Sequence, residues 1–398
     1  MERFYQFYNK FIFWYILIGS QIVILFTRLF GVWFNNLEGI ILILLLCIYL
    51  VITLIVKIDM PIINQKVLFF FITNMLMLFI SIYYSSFKPS VNFIHYLLMF
   101  FGYILIPSIV GILMARSNYD FVNKKTSTIW ILISVGTLIV YYYIFNNNMS
   151  YIRFGKEANY IAVSRSIAFS MFAGVLFLNS FIQFILYSCF ILLISYILAT
   201  RQVFFGSMFV LAFYSYKRFL NKNIIKISYK LNLWKTIKIM LSSLFMICLL
   251  FFIYSQAYSL LSYSSLRFDV FFDSLSLDNG RVYALNYALD IFNKNPLFGY
   301  LGYEKDGLWA HNTIVNSLGQ FGIIGTLPLI FLVLYNLIKG IKKINVFDNT
   351  NCYLLLLALY FIFIGLTVGS SLVDPAFWFI LYYIFTKLVY SEANNKNF

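Results

Sequence analysis

The chain is built from long uninterrupted apolar runs. Each is about 20 residues, the length an α-helix needs to cross a hydrocarbon core of about 30 Å. No water pairs the backbone inside lipid, so only helices or closed barrels span it. A barrel strand would alternate apolar and polar residues over short segments, whereas these runs are continuous. We place twelve spans, at 11–30, 38–56, 67–84, 94–114, 128–145, 161–178, 181–199, 202–216, 236–256, 312–338, 351–370 and 374–390. The sixth to eighth are weakly separated, which leaves eleven as an alternative count. The fold class expected is therefore all-α polytopic membrane protein.

Composition agrees. Of 398 residues, 62% are apolar and 11% charged, against roughly a quarter charged in a soluble domain. So few charges cannot clothe a surface in water, which excludes a soluble globular, disordered or nucleic-acid-binding protein. The net charge of +15 fits basic cytoplasmic loops. Cys47, Cys189, Cys248 and Cys352 lie in or beside apolar runs without metal-binding or C-x-x-C spacing. They read as small buried hydrophobes. The first run is too long for a cleavable leader and lacks a small-residue cleavage site, so it is expected to stay as the first helix. With no internal repeat and no linker rich in Pro, Gly or Ser, residues 1–398 read as a single membrane domain.

The basic residues orient the spans. Placing the N-terminus in the cytoplasm puts Lys57, Lys66, Arg116, Lys124, Lys125, Lys339, Lys342 and Lys343 inside, with the Lys-rich loop 217–238. Both termini then come out cytoplasmic. One sizeable outer segment remains, 257–310, holding Asp269, Asp273, Asp278, Asp290, Glu304 and Asp306. Within it the run from Arg281 to Phe292 has helical spacing, with Leu285, Ala288, Leu289 and Phe292 on one face. Asn279-Gly280 and Asn295-Pro296 bound it, and we expect a helix along the outer surface.

Basic residues on the outer side need a reason, because outward loops are normally poor in Arg. Arg153, Arg201, Arg281 and His311 all fall there, and Arg165 lies inside the sixth span. An Arg within a span costs several kcal/mol unless it faces protein, water or a counter-ion. No span holds an Asp or Glu near its centre, so an external anion is the candidate partner. A lipid diphosphate suits the planar guanidinium fork. Each residue has a plainer alternative. Arg201 could snorkel to the headgroups, Arg153 could be a solvated loop charge, and Arg165 could bond a neighbouring helix's carbonyls. Arg281 could be an ordinary charge at a helix start, though a cation there opposes the dipole. His311 could cap a helix. His95 receives no role. Asp374-Pro375 reads as a cap with Pro in the first turn, and Glu304 with Asp306 has the spacing of a weak carboxylate pair.

The order of these motifs resembles a known family. An Arg-bearing outer loop is followed by Thr200-Arg201, then Gly280-Arg281 and the surface helix. After these come Asn295-Pro296-Leu297-Phe298-Gly299, His311-Asn312, and Gly319, Gly322 and Gly325 in one run. This looks like the O-antigen polymerase and O-antigen ligase superfamily of bacterial envelope glycosyltransferases. The likeness covers about 150–375 and is most specific from Arg281 to Gly325. It implies a GT-C type fold in the inner (plasma) membrane and an undecaprenyl-diphosphate-linked donor. The reaction it implies runs on the periplasmic face, without metal or other cofactor. Arg201, Arg281 and His311 match the family's essential residues, and Arg153 its outer-loop arginine. The outer segment between Arg281 and His311 is short for a ligase, and the paired arginine-to-glycine repeats of some polymerases are not cleanly present.

On this reading an acceptor hydroxyl attacks the anomeric carbon. His311 serves as base, Arg201 and Arg281 stabilise the departing diphosphate, Arg153 and Arg165 bind substrate, and the Asn312 amide binds the sugar or orients the imidazole. A polymerase would use another lipid-linked repeat unit as acceptor, and a ligase would use lipid A-core. The compact outer segment and the AT-rich coding implied by abundant Ile, Asn, Lys, Phe and Tyr tilt toward the polymerase of O-antigen or capsule. A chain-length regulator and a flippase are the expected protein partners. A flippase function for the chain itself is a third reading, but the paired halves and broken midplane helices of transporters are not evident in the sequence.

Overall fold

The structure is a computed structural model, described here for residues 2–30, 37–55, 63–86, 93–117, 119–147, 160–178, 180–198, 200–220, 279–301, 310, 312–343, 348–367, 372 and 374–394. Among these the regular structure is wholly helical. The helices are α1 (Glu2–Phe30), α2 (Leu37–Ile55), α3 (Gln65–Ser86), α4 (Phe93–Met99), α5 (Ile106–Arg116), α6 (Lys124–Asn147) and α7 (Tyr160–Val175). They continue with α8 (Phe181–Ile197), α9 (Arg201–Ser215), α10 (Asn279–Lys294), α11 (Thr313–Lys343), α12 (Asn349–Thr367) and α13 (Pro375–Asn394). Every expected span falls on a helix except 236–256, which lies outside the described residues. The weakly separated sixth to eighth spans are three distinct helices. A π-helical segment, Phe100–Leu105, joins α4 to α5. Pro107 follows it, and a missing N–H there accounts for the loosened turn.

The helices Gln65–Tyr84, Phe93–Arg116, Thr313–Lys343 and Asn349–Leu366 are long and apolar enough to cross a membrane. Exposed apolar stripes run along them and their neighbours. Ile40, Leu44, Ile48, Val51 and Ile55 line one face of α2, and Leu327, Phe331, Leu334 and Ile338 line one face of α11. Stripes of this size on helices of spanning length fit a surface that faces lipid. The chain is an all-α membrane protein. Cys47 lies exposed on α2 and Cys189 is half-buried, so of the described cysteines only Cys352 is the buried hydrophobe expected.

The chain packs as two compact units. The first takes Met1–Gly19, Asn36–Phe121 and Asp278–Phe398. Its centre is α13, buried nearly all round from Ala376 to Leu388. It lies so close to α5 that a Cβ on Gly111 would stand 2.5 Å from the Phe379 carbonyl oxygen. Small residues allow such approach in lipid, where helix association relies on packing and hydrogen bonds. Asn74 Nδ2 donates to Tyr382 Oη at 2.5 Å, and Asn336 Nδ2 to the Leu381 carbonyl at 2.9 Å. At one end the loops are braced to each other. The Asn64 N–H donates to Tyr390 Oη, Lys387 Nζ to the Ser117 carbonyl, and the Phe121 N–H to Thr350 Oγ1. Thr350 Oγ1 in turn donates to Asp120, and Lys343 Nζ to Ser391.

The second unit takes Ser20–Asn35 and Val122–Leu277. Its described core is organised by Gln21, fully buried on α1. Gln21 Nε2 donates to Ser170 Oγ at 2.9 Å, while its Oε1 accepts from Ser134 at 3.0 Å and Thr137 at 3.5 Å. One amide thereby ties α1, α6 and α7. Nothing in the periodicity singled it out, although a Gln amid an apolar run was visible.

Candidate active site

The sequence treats 312–338 as one span, but α11 is broken. Gly322 sits inside it at φ 62°, ψ −165°. Ser317 and Thr326, about 13 Å apart along a straight helix, bring their hydroxyl oxygens to 2.9 Å. The residues 313–321 therefore fold back as a short arm against the long arm 323–343. The long arm alone, at 1.5 Å per residue, is about 31 Å and suffices to span.

The break is held open by an inserted segment. After α10 the chain turns at Asn295, whose carbonyl accepts from the Gly299 N–H at 2.9 Å. It then lies against the break: Ile323 N–H donates to the Pro296 carbonyl at 2.8 Å, and Ile324 N–H to that of Leu297 at 3.1 Å. In return Tyr300 N–H donates to the Gly319 carbonyl at 2.7 Å. Breaking a helix orphans its backbone groups, and these bonds re-pair several of them. Gly299 also holds a positive φ, 67°. A Cβ there would stand 2.5 Å from the Gln320 carbonyl carbon, and one on Gly322 would fall into the backbone of Leu297 and Phe298. The two glycine-bearing runs singled out from the sequence thus interlock backbone to backbone. Their neighbours pin the lock. Phe298 stacks on Tyr84 at 4.4 Å, Tyr96 Oη donates to the Leu301 carbonyl at 2.6 Å, and Ser81 Oγ donates to that of Phe321 at 3.0 Å.

The lock sets α10 on the short arm. Ala284, Ala288 and Ile291 are its buried face, with Ala288 and Ile291 clustered on Ala310 and flanked by Tyr287, Tyr300 and Val315. The expected face of Leu285, Ala288, Leu289 and Phe292 is thus turned: Leu285, Leu289 and Phe292 are only half-buried. The small alanines decide this, because they let α10 approach where leucines would hold it off. Arg281 stands in the first turn of α10. Asn312 caps the short arm. Its Oδ1 accepts from the N–H groups of Ile314 and Val315 at 3.0 and 3.1 Å, and its Nδ2 donates to the Leu366 carbonyl of α12 at 2.9 Å. These bonds make the Asn312 amide a brace of the turn. Asp374 Oδ1 accepts from the Ala376 N–H at 2.9 Å, the helix cap read from Asp374-Pro375.

Arg281 and Asn312 belong to the first unit, and Arg165 and Arg201 to the second. Arg201 is the first residue of α9, behind Thr200 in extended conformation with no side-chain cap. Arg165 is half-buried on α7, its guanidinium 5.9 Å from the Phe169 ring centroid, within cation–π range. Arg153, His311, Glu304 and Asp306 lie outside the described residues. Gly299 and Gly322 are visible in the sequence as glycines, but their positive φ and mutual close approach are visible only in the structure. Compared with known proteins, the chain matches no family model, no curated protein and no solved structure.

Proposed function

We propose that the chain is an O-antigen or capsule polysaccharide polymerase of the inner membrane, with about twelve membrane helices in a GT-C type arrangement. The observation that carries this reading is the interlock of Pro296–Gly299 with Gly319–Gly322. It gives the most family-like stretch of the sequence one physical purpose: to seat α10, with Arg281 in its first turn, against the short arm that begins beside His311-Asn312. The same reading puts the active site on the periplasmic side and both termini in the cytoplasm. In support, Asn64, Ser117, Asp120, Thr350 and Ser391, all in segments assigned to the inside from their charges, are braced together at one end of their unit.

In the reaction, the acceptor sugar's hydroxyl oxygen attacks the anomeric carbon of the lipid-linked glycan. His311 takes the hydroxyl proton as the new glycosidic bond forms. The bond from the anomeric carbon to the diphosphate breaks, and the lipid diphosphate leaves with the electron pair. Arg281 is the cation for that charge, and a preformed donor of this kind lowers a barrier by about 3–4 kcal/mol. Asn312 caps the short arm that follows His311 in sequence. In an elongation assay with purified protein, His311→Ala reduces turnover at least about a hundredfold, the scale of a lost general base, while protein in the membrane is unchanged. Normal elongation by that variant rejects the assignment. Transfer to lipid A-core instead of to a second repeat unit would identify a ligase.

A further inference from the structure

The helices α3 and α11 lie side by side. Ser81 Oγ donates to the Phe321 carbonyl at one end, and the Phe70 and Phe331 rings stand 5.1 Å apart toward the other. The two helices therefore run antiparallel. Neither holds an Asp or Glu. Their four lysines are Lys66, in the first turn of α3, and Lys339, Lys342 and Lys343, in the last five residues of α11. Antiparallel packing gathers all four at one end of the pair. Among the described residues one carboxylate, Glu392, pairs with them, through Lys339, and Lys343 is bonded to Ser391. Lys66 and Lys342 are exposed.

Each lysine tops an apolar stripe in helical register. Lys66 stands one turn before Phe69, and Lys342 one turn past Ile338. Phe69 and Ile72 of α3 are exposed, as are Phe331, Leu334 and Ile338 of α11. An apolar face on two adjoining helices that ends in cations matches one kind of molecule: acyl chains along the stripes and a phosphate among the lysines. We infer that this face binds an anionic phospholipid of the cytoplasmic leaflet. Charge selects the occupant, because basic sites between helices on that side attract anionic headgroups. A zwitterionic headgroup would leave four lysines answered by one carboxylate. A second copy of the chain, docked by the same face about a two-fold axis, would set these lysines against their own equivalents. The leaflet rests on the sidedness proposed above, while the contact does not depend on the chain being an enzyme.

The full chain in phosphatidylcholine nanodiscs is photolabelled with a small share of phosphatidylglycerol bearing an acyl-chain diazirine, and the labelled peptides are mapped. Labelling is expected within 66–72 and 331–342. The same diazirine on phosphatidylcholine should label these peptides far less. Lys66→Gln combined with Lys342→Gln should weaken phosphatidylglycerol labelling about fivefold for each lysine removed, the share a lysine contributes at an anionic surface. The corresponding double change to Arg should preserve it. Lys124→Gln combined with Lys125→Gln removes as much charge from exposed positions at the start of α6 and should leave it unchanged. High salt should bring the unaltered chain toward the Gln pair, because exposed charges are screened. Equal labelling by the two headgroups, or an undiminished signal in the Gln pair, leaves bulk lipid at this face and overturns the site. Absence of label from both stripes, with disulfide formation between Phe69→Cys copies, places a second chain there and overturns it as well. Labelling as expected with Ser391→Cys reactive from outside the cell upholds the site and moves it to the other leaflet. Polymer formation is not read in this experiment, so failure of the catalytic reading leaves the result unchanged.

Discussion

Gly299 and Gly322 hold positive φ values of 67° and 62°, and each faces the other's segment with no room for a side chain. An L-residue in a sparsely populated conformation costs about 1–3 kcal/mol, before the overlap is counted. Gly322→Ala should therefore lower thermal stability in detergent and nearly abolish elongation. Replacing Gly325, at the Phe321 side of the same turn, also meets a close neighbour, but it breaks no positive φ. At the other end of the unit, Glu392 lies just past the last span and pairs with Lys339 at 2.8 Å. That hydrogen bond from Lys339 holds the Glu392 carboxyl below the usual carboxylate range. A depressed carboxyl contributes stability above its unfolded pKa and loses it as pH falls through the folded one. Thermal stability should thus fall on acidification in the carboxylate range, slightly less in Glu392→Gln. The difference should be small, because exposed pairs contribute little.

At the scale of elements, buried amides do what hydrophobicity cannot. Lipid offers apolar side chains no preference for a neighbouring helix, so packing and hydrogen bonds specify partners. Gln21 joins α1 to α6 and α7, and Asn74 and Asn336 tie α3 and α11 to α13. Each membrane hydrogen bond is worth about 0.6 kcal/mol on average. Gln21→Leu should therefore destabilise the protein by about 1–2 kcal/mol on that scale, read as a lower unfolding midpoint in detergent. Asn312 is the corresponding device at the candidate site. Removing an N-cap costs about 0.5–2 kcal/mol, and Asn312→Ala also releases the turn from α12. Its elongation defect should exceed its loss of stability, whereas Asn312→Asp, which keeps the capping oxygen, should retain more of the fold than of the activity.

At the scale of the molecule, the expected sidedness can be read by cysteine labelling in intact cells. Tyr283→Cys, on the exposed side of α10, should react with an impermeant maleimide added outside, and Ser391→Cys only after permeabilisation. The reverse pattern would invert the topology and remove the periplasmic reaction. The helices were legible because each apolar run meets the length and backbone-pairing demands of a bilayer by itself. The reading of α11 as a single span came from the same rule: Gly319, Gly322 and Gly325 sit in an apolar stretch of spanning length, and hydropathy carries no sign of a positive φ. The face of α10 was misread for a related reason. Leucines dominate an apolar pattern, while close approach is set by alanines, whose value depends on what lies opposite.

The sequence by itself determined that this is a membrane protein and where its described membrane helices run. Those properties follow from one chain segment meeting one solvent. Only the tertiary structure decided that α11 doubles back and that Pro296–Gly299 fills the break. Each of those depends on two distant segments approaching to van der Waals distance, and no single segment encodes the shape of the other.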